Sequence, residues 1–169
     1  MIQKALFAVV LAAIFSTPAW AQNSRFELGG KGGAGYFNLD GSRRGLIGVE
    51  VCAWCGGRYA LFGEYSFWPK PAGNNSFRPA NTAGVGLRIQ RIGILCLDLC
   101  FFDVGIAVAN GALGIATETG NTARSGLLVL GGGINIPIGE RLYIRPQVRG
   151  YAGGDNSASS AEVGIGWRF

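Results

Sequence analysis

The sequence predicts an all-β protein, an eight-stranded antiparallel up-and-down β-barrel that spans a membrane. Three observations lead to this prediction. Hydrophobic residues make up 49% of the chain, yet no apolar stretch after residue 21 is long enough to cross a bilayer as a helix. Eight segments alternate apolar and non-apolar residues with a period of two. The face opposite the apolar one carries glycine, small residues and charges of both signs.

The first residues indicate export. Lys4 precedes an apolar run from Ala5 to Phe15, and Ala19-Trp20-Ala21 matches an Ala-x-Ala cleavage site. A basic segment, a short apolar segment and such a site are together typical of a secretory signal peptide. A membrane anchor needs about 20 apolar residues, which this run does not reach. We therefore expect residues 1–21 to be a cleaved signal peptide and residues 22–169 to form one domain.

The strands and their connections follow from the alternation and from turn residues. Long polar loops alternate with short links along the chain. This alternation is typical of a barrel with long loops on one side of a membrane and tight turns on the other. The predicted strands are 24–37, 45–53, 58–68, 81–91, 98–110, 124–137, 142–151 and 160–169. The long polar loops are 38–44, 69–80, 111–123 and 152–159, and the short links are 54–57, 92–97 and 138–141.

The character of the two strand faces distinguishes a soluble barrel from a membrane barrel. A soluble barrel would turn its apolar face inward, and a membrane barrel turns it outward. The mixed face is rich in glycine and thinly charged, since only 15% of the chain is charged against about a quarter in soluble proteins. Aromatic residues near strand ends would form two interfacial girdles: Tyr36, Phe67, Trp68, Tyr143, Tyr151, Trp167 and Phe169.

The charges of the mixed face nearly cancel, as an enclosed lumen requires, because buried charges are tolerated when they are paired. An eight-stranded barrel is just wide enough for side chains to fill. We therefore expect these charges to form an ion network that plugs the lumen, and a narrow or gated channel is the functional alternative. The predicted network is Glu27, Lys31, Glu50, Glu64, Arg88, Asp103, Arg145, Arg149 and Glu162, with Arg25 and Arg168 at strand ends.

Over the whole mature chain, these segments resemble the small eight-stranded outer-membrane barrels of the OmpA and OmpX type, among them the outer membrane protein beta-barrel domain proteins of diderm bacteria. The terminal strand Ala161–Phe169 resembles the C-terminal signal that the outer-membrane assembly machinery reads, with Ile165, Trp167 and Phe169 as its apolar positions. The opening strand, from Phe26-Glu27-Leu28-Gly29-Gly30 to Gly35-Tyr36-Phe37, is also typical.

The resemblance implies a location in the outer membrane of a diderm bacterium, with both termini in the periplasm and the long loops outside. It implies outer-membrane lipid and the barrel assembly machinery as partners, and a role in envelope stability, adhesion or defence. A minority of the family are enzymes that act on lipid A and use a histidine. This chain contains no histidine, so neither that chemistry nor a Ser/His/Asp or Cys/His arrangement can be carried over.

We therefore expect a monomeric, non-catalytic barrel that has no cofactor and whose extracellular loops carry any binding role, for an unknown ligand. The basic residues are scattered, with 14 basic and 10 acidic residues once Lys4 is excluded. A nucleic-acid partner is not expected, since it would require a clustered basic face. The alternative from a different class is a soluble periplasmic barrel that binds an apolar ligand, as lipocalins do.

Four cysteines depart from the usual pattern of that family. Cys52 and Cys55 form a Cys-x-x-Cys motif, and Cys96 and Cys100 lie at a second link between strands. An even number of cysteines in an exported protein predicts disulfides. A redox motif or an all-thiolate metal site is the alternative. The pairing stays open at this point, since pairs within each link and pairs between the links are both compatible with the sequence.

Overall fold

The computed structural model describes residues 26–37, 42–69, 79–90, 99–110, 124–153 and 156–169. These residues form one antiparallel sheet that closes on itself, which confirms the predicted eight-stranded all-β barrel. No helix within them is long and apolar enough to cross a membrane. The predicted signal peptide 1–21, the link 92–97, Arg25 and most of the two longest loops lie outside the described residues.

The strands lie within a few residues of their predicted positions. The short β7 continues β6 in the same register against β8, so that the two segments form one strand of the barrel, interrupted at Asn135. The segments are β1 Glu27–Phe37, β2 Ser42–Ala53, β3 Tyr59–Trp68, β4 Ala80–Gln90, β5 Cys100–Asn110, β6 Arg124–Ile134, β7 Ile136–Pro137, β8 Leu142–Gly153 and β9 Asn156–Arg168.

Each strand pairs with its neighbours in the chain, and the first strand pairs with the last. The β1–β9 ladder runs from Glu27 opposite Arg168 to Phe37 opposite Ala158. It continues in a hydrogen bond of 2.8 Å from the backbone N–H of Phe169 to the carbonyl of Phe26. A closed barrel leaves no strand edge unpaired, which is what a sheet inside a bilayer requires. The last residues of the chain are therefore part of the barrel wall.

Burial alternates along the strands in the inverted sense that the sequence predicts. Large apolar side chains such as Ile47, Ile106 and Val148 are more than 60% exposed on the outer surface. The charged side chains of the same strands, such as Glu50, Asp103 and Arg149, are buried inside. In water the exposed apolar surface would be a strong aggregation liability. A hydrocarbon environment outside the barrel accounts for both faces.

The prediction that loops sort by length is wrong for two connections. The strand β2 begins at Ser42, and β9 begins at Asn156, so the connections are residues 38–41 and 154–155. The segment 152–159 is rich in Gly, Asp, Asn and Ser, which indicate a loop by composition. However, Ala158 and Ser160 are buried while Ser159 and Ala161 are exposed, so this segment keeps the strand period. Small residues of low strand propensity can lie in a sheet when the strands on both sides pair with them, as β1 and β8 do here.

The predicted aromatic girdles are only partly correct. Trp68, Tyr143 and Tyr151 are almost completely buried inside the barrel. They lie on the same face as the charged residues of their strands, because side chains two positions apart share a face. On the outer surface near strand ends, the predicted aromatics are Tyr36, Phe67, Trp167 and Phe169. Tyr59, Tyr65 and Phe102 also face outward, and Trp54 is exposed in the β2–β3 turn.

Candidate functional site in the barrel lumen

Charged side chains fill the part of the lumen that lies nearer the short turns. Strand alternation points them inward, and the closed barrel brings residues that are far apart in sequence into contact. The structure places all nine residues of the predicted network here, in one connected set of ion pairs. With Arg168 they make five acidic and five basic groups, which we call the ionic layer: Glu27, Lys31, Glu50, Glu64, Arg88, Asp103, Arg145, Arg149, Glu162 and Arg168.

Arg88 lies at the centre of the ionic layer and is 0% exposed. Its Nε and Nη2 each donate a hydrogen bond of 2.7 Å to the two carboxylate oxygens of Asp103 on the neighbouring strand. Its Nη1 donates to Glu50 Oε1 at 2.8 Å across the lumen. This arrangement is a bidentate fork with a further charged partner, the geometry in which an arginine–carboxylate contact is strongest.

Arg149 connects the acids of three other strands. Its Nη2 lies 2.7 Å from Glu50 Oε2 and 2.9 Å from Asp103 Oδ2, and its Nη1 lies 2.7 Å from Glu64 Oε2. Lys31 contacts the same Glu64 oxygen at 2.5 Å and Glu162 Oε2 at 3.0 Å. Each carboxylate is therefore shared between cations, and removing one cation exposes several acids to repulsion.

Nearest the short turns, Arg145 and Arg168 share Glu27. Arg145 Nη2 and Arg168 Nε donate to different oxygens of this carboxylate, each at 2.7 Å. Arg145 also bonds Glu50 through Nη1 and donates from Nε to the Asn135 side-chain oxygen at 2.6 Å. Because Glu27 and Arg168 face each other on β1 and β9, this group of contacts also joins the two ends of the barrel sheet.

Aromatic rings lie against the guanidinium groups of the ionic layer. The Arg88 guanidinium lies 4.3 Å from the Phe101 ring centre, and Arg149 lies 5.0 Å from that of Phe62. Arg145 and Arg168 lie 4.5 Å and 5.1 Å from the ring centre of Tyr143. Such cation–π contacts occupy the space that a water-filled passage would need.

The lumen nearer the connections 38–41, 69–79, 111–123 and 154–155 has a different filling. Trp68 and Tyr151 pack edge to face with ring centres 6.0 Å apart. Trp68 Nε1 donates to Thr82 Oγ1 at 3.2 Å, so its polar atom is satisfied. The cluster around them, which we call the apolar layer, is Leu46, Trp68, Ala80, Ala107, Ala109, Leu127, Val129, Tyr151 and Ala158.

Gly35 makes room for the largest side chain of the apolar layer. A Cβ atom at this position would lie 2.4 Å from Cζ3 of the Trp68 ring. Only glycine therefore lets the β1 backbone approach the indole ring so closely. This contact across the lumen shows that the apolar layer is packed and not an open vestibule.

A disulfide joins Cys52 and Cys55 at the β2–β3 turn, as the even cysteine count predicts. Cys100 is also not a free thiol, and Cys96 lies outside the described residues. Glu27 lies close enough to both Sγ atoms for the three to resemble a metal-ligand group. However, the two sulfurs are bonded to each other and offer no thiolate. While the disulfide is formed, this group therefore does not fit a metal ion.

Several members of the lumen filling are absent from the sequence-based prediction. Gln147, Ser160 and Tyr151 bond the acids Glu162 and Glu64, while Arg168, predicted beside the network at a strand end, is a full partner of Glu27. Arg44, predicted to lie in a loop, is buried near Ser42 at the start of β2. The inward phase of the alternation could have identified all of these, since each shares the parity of a charged neighbour on its strand.

The contacts of the ionic layer favour a structural role for these charged residues over a catalytic one. Every acid of the ionic layer is held by at least one cation in the described lumen. A catalytic pair would require two carboxyl groups in unlike environments that push their proton affinities apart. Glu50 and Glu64 are instead both counter-ions of Arg149.

Comparisons with known proteins agree with this architecture. No protein-family model matches the chain, and no curated protein matches it in sequence. The N-terminal β-barrel domain of Pseudomonas aeruginosa OprF is similar in structure, with a TM-score of 0.64 at 16% identity over 88% of this chain and 98% of that one. Neisserial surface protein A gives a TM-score of 0.57 at 8% identity, with the same coverage of both chains.

Ail, the attachment invasion locus protein of Yersinia pestis, is similar over 86% of this chain and 97% of its own, with a TM-score of 0.54 at 11% identity. At these identities the likeness concerns the fold alone. The closed eight-stranded antiparallel barrel is therefore the fold that this chain shares with these small outer-membrane barrels.

Proposed function

We propose that this chain is a monomeric, non-catalytic protein of the outer membrane of a diderm bacterium. Residues 1–21 export it, and the strand that ends in Ile165, Trp167 and Phe169 serves as the signal for the assembly machinery. The connections 38–41, 69–79, 111–123 and 154–155 face the exterior. The protein then supports the envelope or binds a partner at the cell surface through these loops.

The inverted burial of the strands is the observation that carries this proposal. Large apolar side chains cover much of the outer surface, while ten charged groups are paired inside. A soluble barrel that binds an apolar ligand would need the opposite faces and an empty apolar interior, as lipocalins have. The ionic layer leaves no such interior in the described lumen.

The filled lumen also argues against a channel. Ion pairs, cation–π contacts and the apolar layer together occupy the barrel from one end of the strands to the other in the described residues. An ion would have to break several of these contacts at once to pass. The surface role therefore rests on the loops and the outer wall, and the lumen holds the barrel rigid.

Envelope fractionation tests the proposal. The protein should be found with the outer membrane, and its gel mobility should change on heating, as it does when a folded barrel unfolds in detergent. Recovery of the folded protein in the soluble periplasmic fraction without detergent would refute the proposal and favour the ligand-binding alternative.

A further inference from the structure

A groove of about 590 Å³ runs along the outer wall across β2, β1, β9 and β8. Most outward side chains of this wall are large and branched or aromatic, but in the groove several neighbouring outward residues are small. The pairing places Gly45, Ala34 and Ala161 side by side, with Val148 at the far edge. The wall is therefore hollowed over four strands, at the end of the barrel that holds the apolar layer.

Polar groups line up at one end of this groove. Arg43 lies opposite Tyr36 in the sheet, and Tyr36 lies opposite Ser159, so that a guanidinium and two hydroxyl groups share one outward row. All three side chains are exposed. The small residues Ala34 and Ala161 lie two residues further along their strands, about 7 Å towards the middle of the barrel. The groove is thus polar at its outer end and apolar below it.

Arg43 is unusual among the strand residues whose side chains are described, because it is the one charged residue that is exposed. It makes no ion pair with any described residue. On the lipid face of a barrel, an arginine is strongly destabilising at the bilayer midplane and far less so near the interface. Arg43 therefore lies at headgroup level, where an anionic group can pair with it.

We propose that this groove binds a phosphorylated glycolipid of the outer leaflet, with the phosphate on Arg43, sugar or phosphate oxygens on the hydroxyls of Tyr36 and Ser159, and an acyl chain over Ala34 and Ala161. Arginine binds phosphate through its planar fork. Inside a bilayer there is no hydrophobic driving force for binding an acyl chain, because the chain only exchanges contacts with other lipid tails for contacts with the protein. Van der Waals packing against the small residues therefore supplies the attraction for the chain. The inference rests on the proposed orientation, which puts this end in the outer leaflet.

Native mass spectrometry of the refolded full chain in detergent micelles tests the proposal. The probes are diphosphorylated lipid A, the same lipid after dephosphorylation, phosphatidylglycerol and phosphatidylethanolamine. We expect a one-to-one adduct with diphosphorylated lipid A, and binding weaker by about tenfold once the phosphates are removed, because a charge-assisted contact is lost. Equal binding of phosphatidylglycerol would overturn the assignment of a glycolipid.

Two variants and two matched controls locate the adduct. Arg43→Gln should weaken it by about tenfold, and Ala161→Leu should weaken it severalfold by filling the groove floor. Arg58→Gln removes an exposed charge at the short-turn end, and Ala83→Leu adds the same bulk to an exposed position outside the groove. Neither control should change the adduct.

The groove assignment is refuted if the two groove variants bind as their controls do, provided that heat-dependent gel mobility shows all four to be folded. A protein that fractionates with the outer membrane but forms no adduct would refute this inference and leave the proposed function intact. A protein absent from the outer membrane would refute the proposed function itself.

Discussion

The two fillings of the lumen, the ionic layer and the apolar layer, depend on different physics. In the ionic layer each carboxylate is shared among cations from other strands, so the loss of one group leaves several charges buried without compensation. In the apolar layer, Trp68 and its neighbours contribute through contact, and a loss is proportional to the volume removed. The same barrel interior should therefore be intolerant of conservative changes in the ionic layer and tolerant of them in the apolar layer.

Tyr151 is the residue that joins the two layers. Its ring packs against Trp68, and its hydroxyl donates to Glu64 Oε1 at 3.2 Å. The boundary between the layers is therefore one residue thick at this point. Perturbing Tyr151 should have a smaller effect than perturbing the centre of either layer, because each layer keeps its other contacts.

The largest effect should come from the centre of the ionic layer. Arg88→Met removes the partner of both Asp103 and Glu50, and breaking a buried ion pair in this way costs about 3–5 kcal/mol of the free energy of unfolding. Arg88→Lys should recover little, because lysine lacks the planar fork that contacts Asp103 through two hydrogen bonds. Urea unfolding in lipid vesicles measures both.

The exposed Arg58 supplies the control for that prediction. Arg58→Met should change the free energy of unfolding by less than about 0.5 kcal/mol, as surface substitutions do. In the double variant Arg88→Met with Asp103→Leu, part of the stability should return, because an unpaired acid is removed as well. If Arg88→Met were no more harmful than Arg58→Met, the ionic layer would not stabilise the barrel.

The apolar layer should respond to volume. Leu46 is 2% exposed, so Leu46→Ala should lower the free energy of unfolding by about 3 kcal/mol. Leu46→Met keeps the volume and should cost less than about 1.5 kcal/mol. The same unfolding assay applies, and a methionine variant as unstable as the alanine variant would contradict the proposed contrast between the layers.

The Cys52–Cys55 disulfide should have an intermediate effect. The loop that it closes is short, with a sequence separation of 3, so the entropic stabilisation is about 2 kcal/mol. The double variant Cys52→Ala and Cys55→Ala should lose this amount and still fold. Failure of that variant to give heat-dependent gel mobility would show that the disulfide determines folding as well as stability.

The smallest effect should come from the junction of the two layers. Tyr151→Phe removes one long hydrogen bond to a carboxylate and keeps the ring, and we expect a loss of about 1.5 kcal/mol. Tyr65→Phe, at an exposed position on the outer wall, is the matched control and should be neutral. A larger loss for Tyr65→Phe than for Tyr151→Phe would place the stabilising hydroxyl outside the lumen.

Period-two alternation carried most of the fold prediction. It located the strands to within a few residues and assigned inward and outward faces correctly even where the evidence was a single charge, as at Glu50 in β2. It failed at 152–159, where serine and glycine composition outweighed a weak alternation. The segment stays in the sheet because β9 pairs with β1 and with β8. The local sequence does not indicate such pairing.

The apolar layer was missed for a different reason. Trp68 and Tyr151 were assigned to the membrane surface because aromatic residues near strand ends suggest a girdle, although their parity matched Glu64 and Arg149. Parity was the better guide, because a sheet has only two faces and a strand end does not change them. The partner of each charge, such as Glu50 with Arg88, could not be read from the sequence, since barrel closure sets those contacts.

The most direct test of a filled lumen is ion conductance across a planar bilayer that contains the refolded barrel. A lumen filled by the ionic and apolar layers should give no steady single-channel current above that of the bare bilayer. A steady current that changes when Arg88 or Glu50 is neutralised would show that ions pass through the ionic layer, and it would contradict the account.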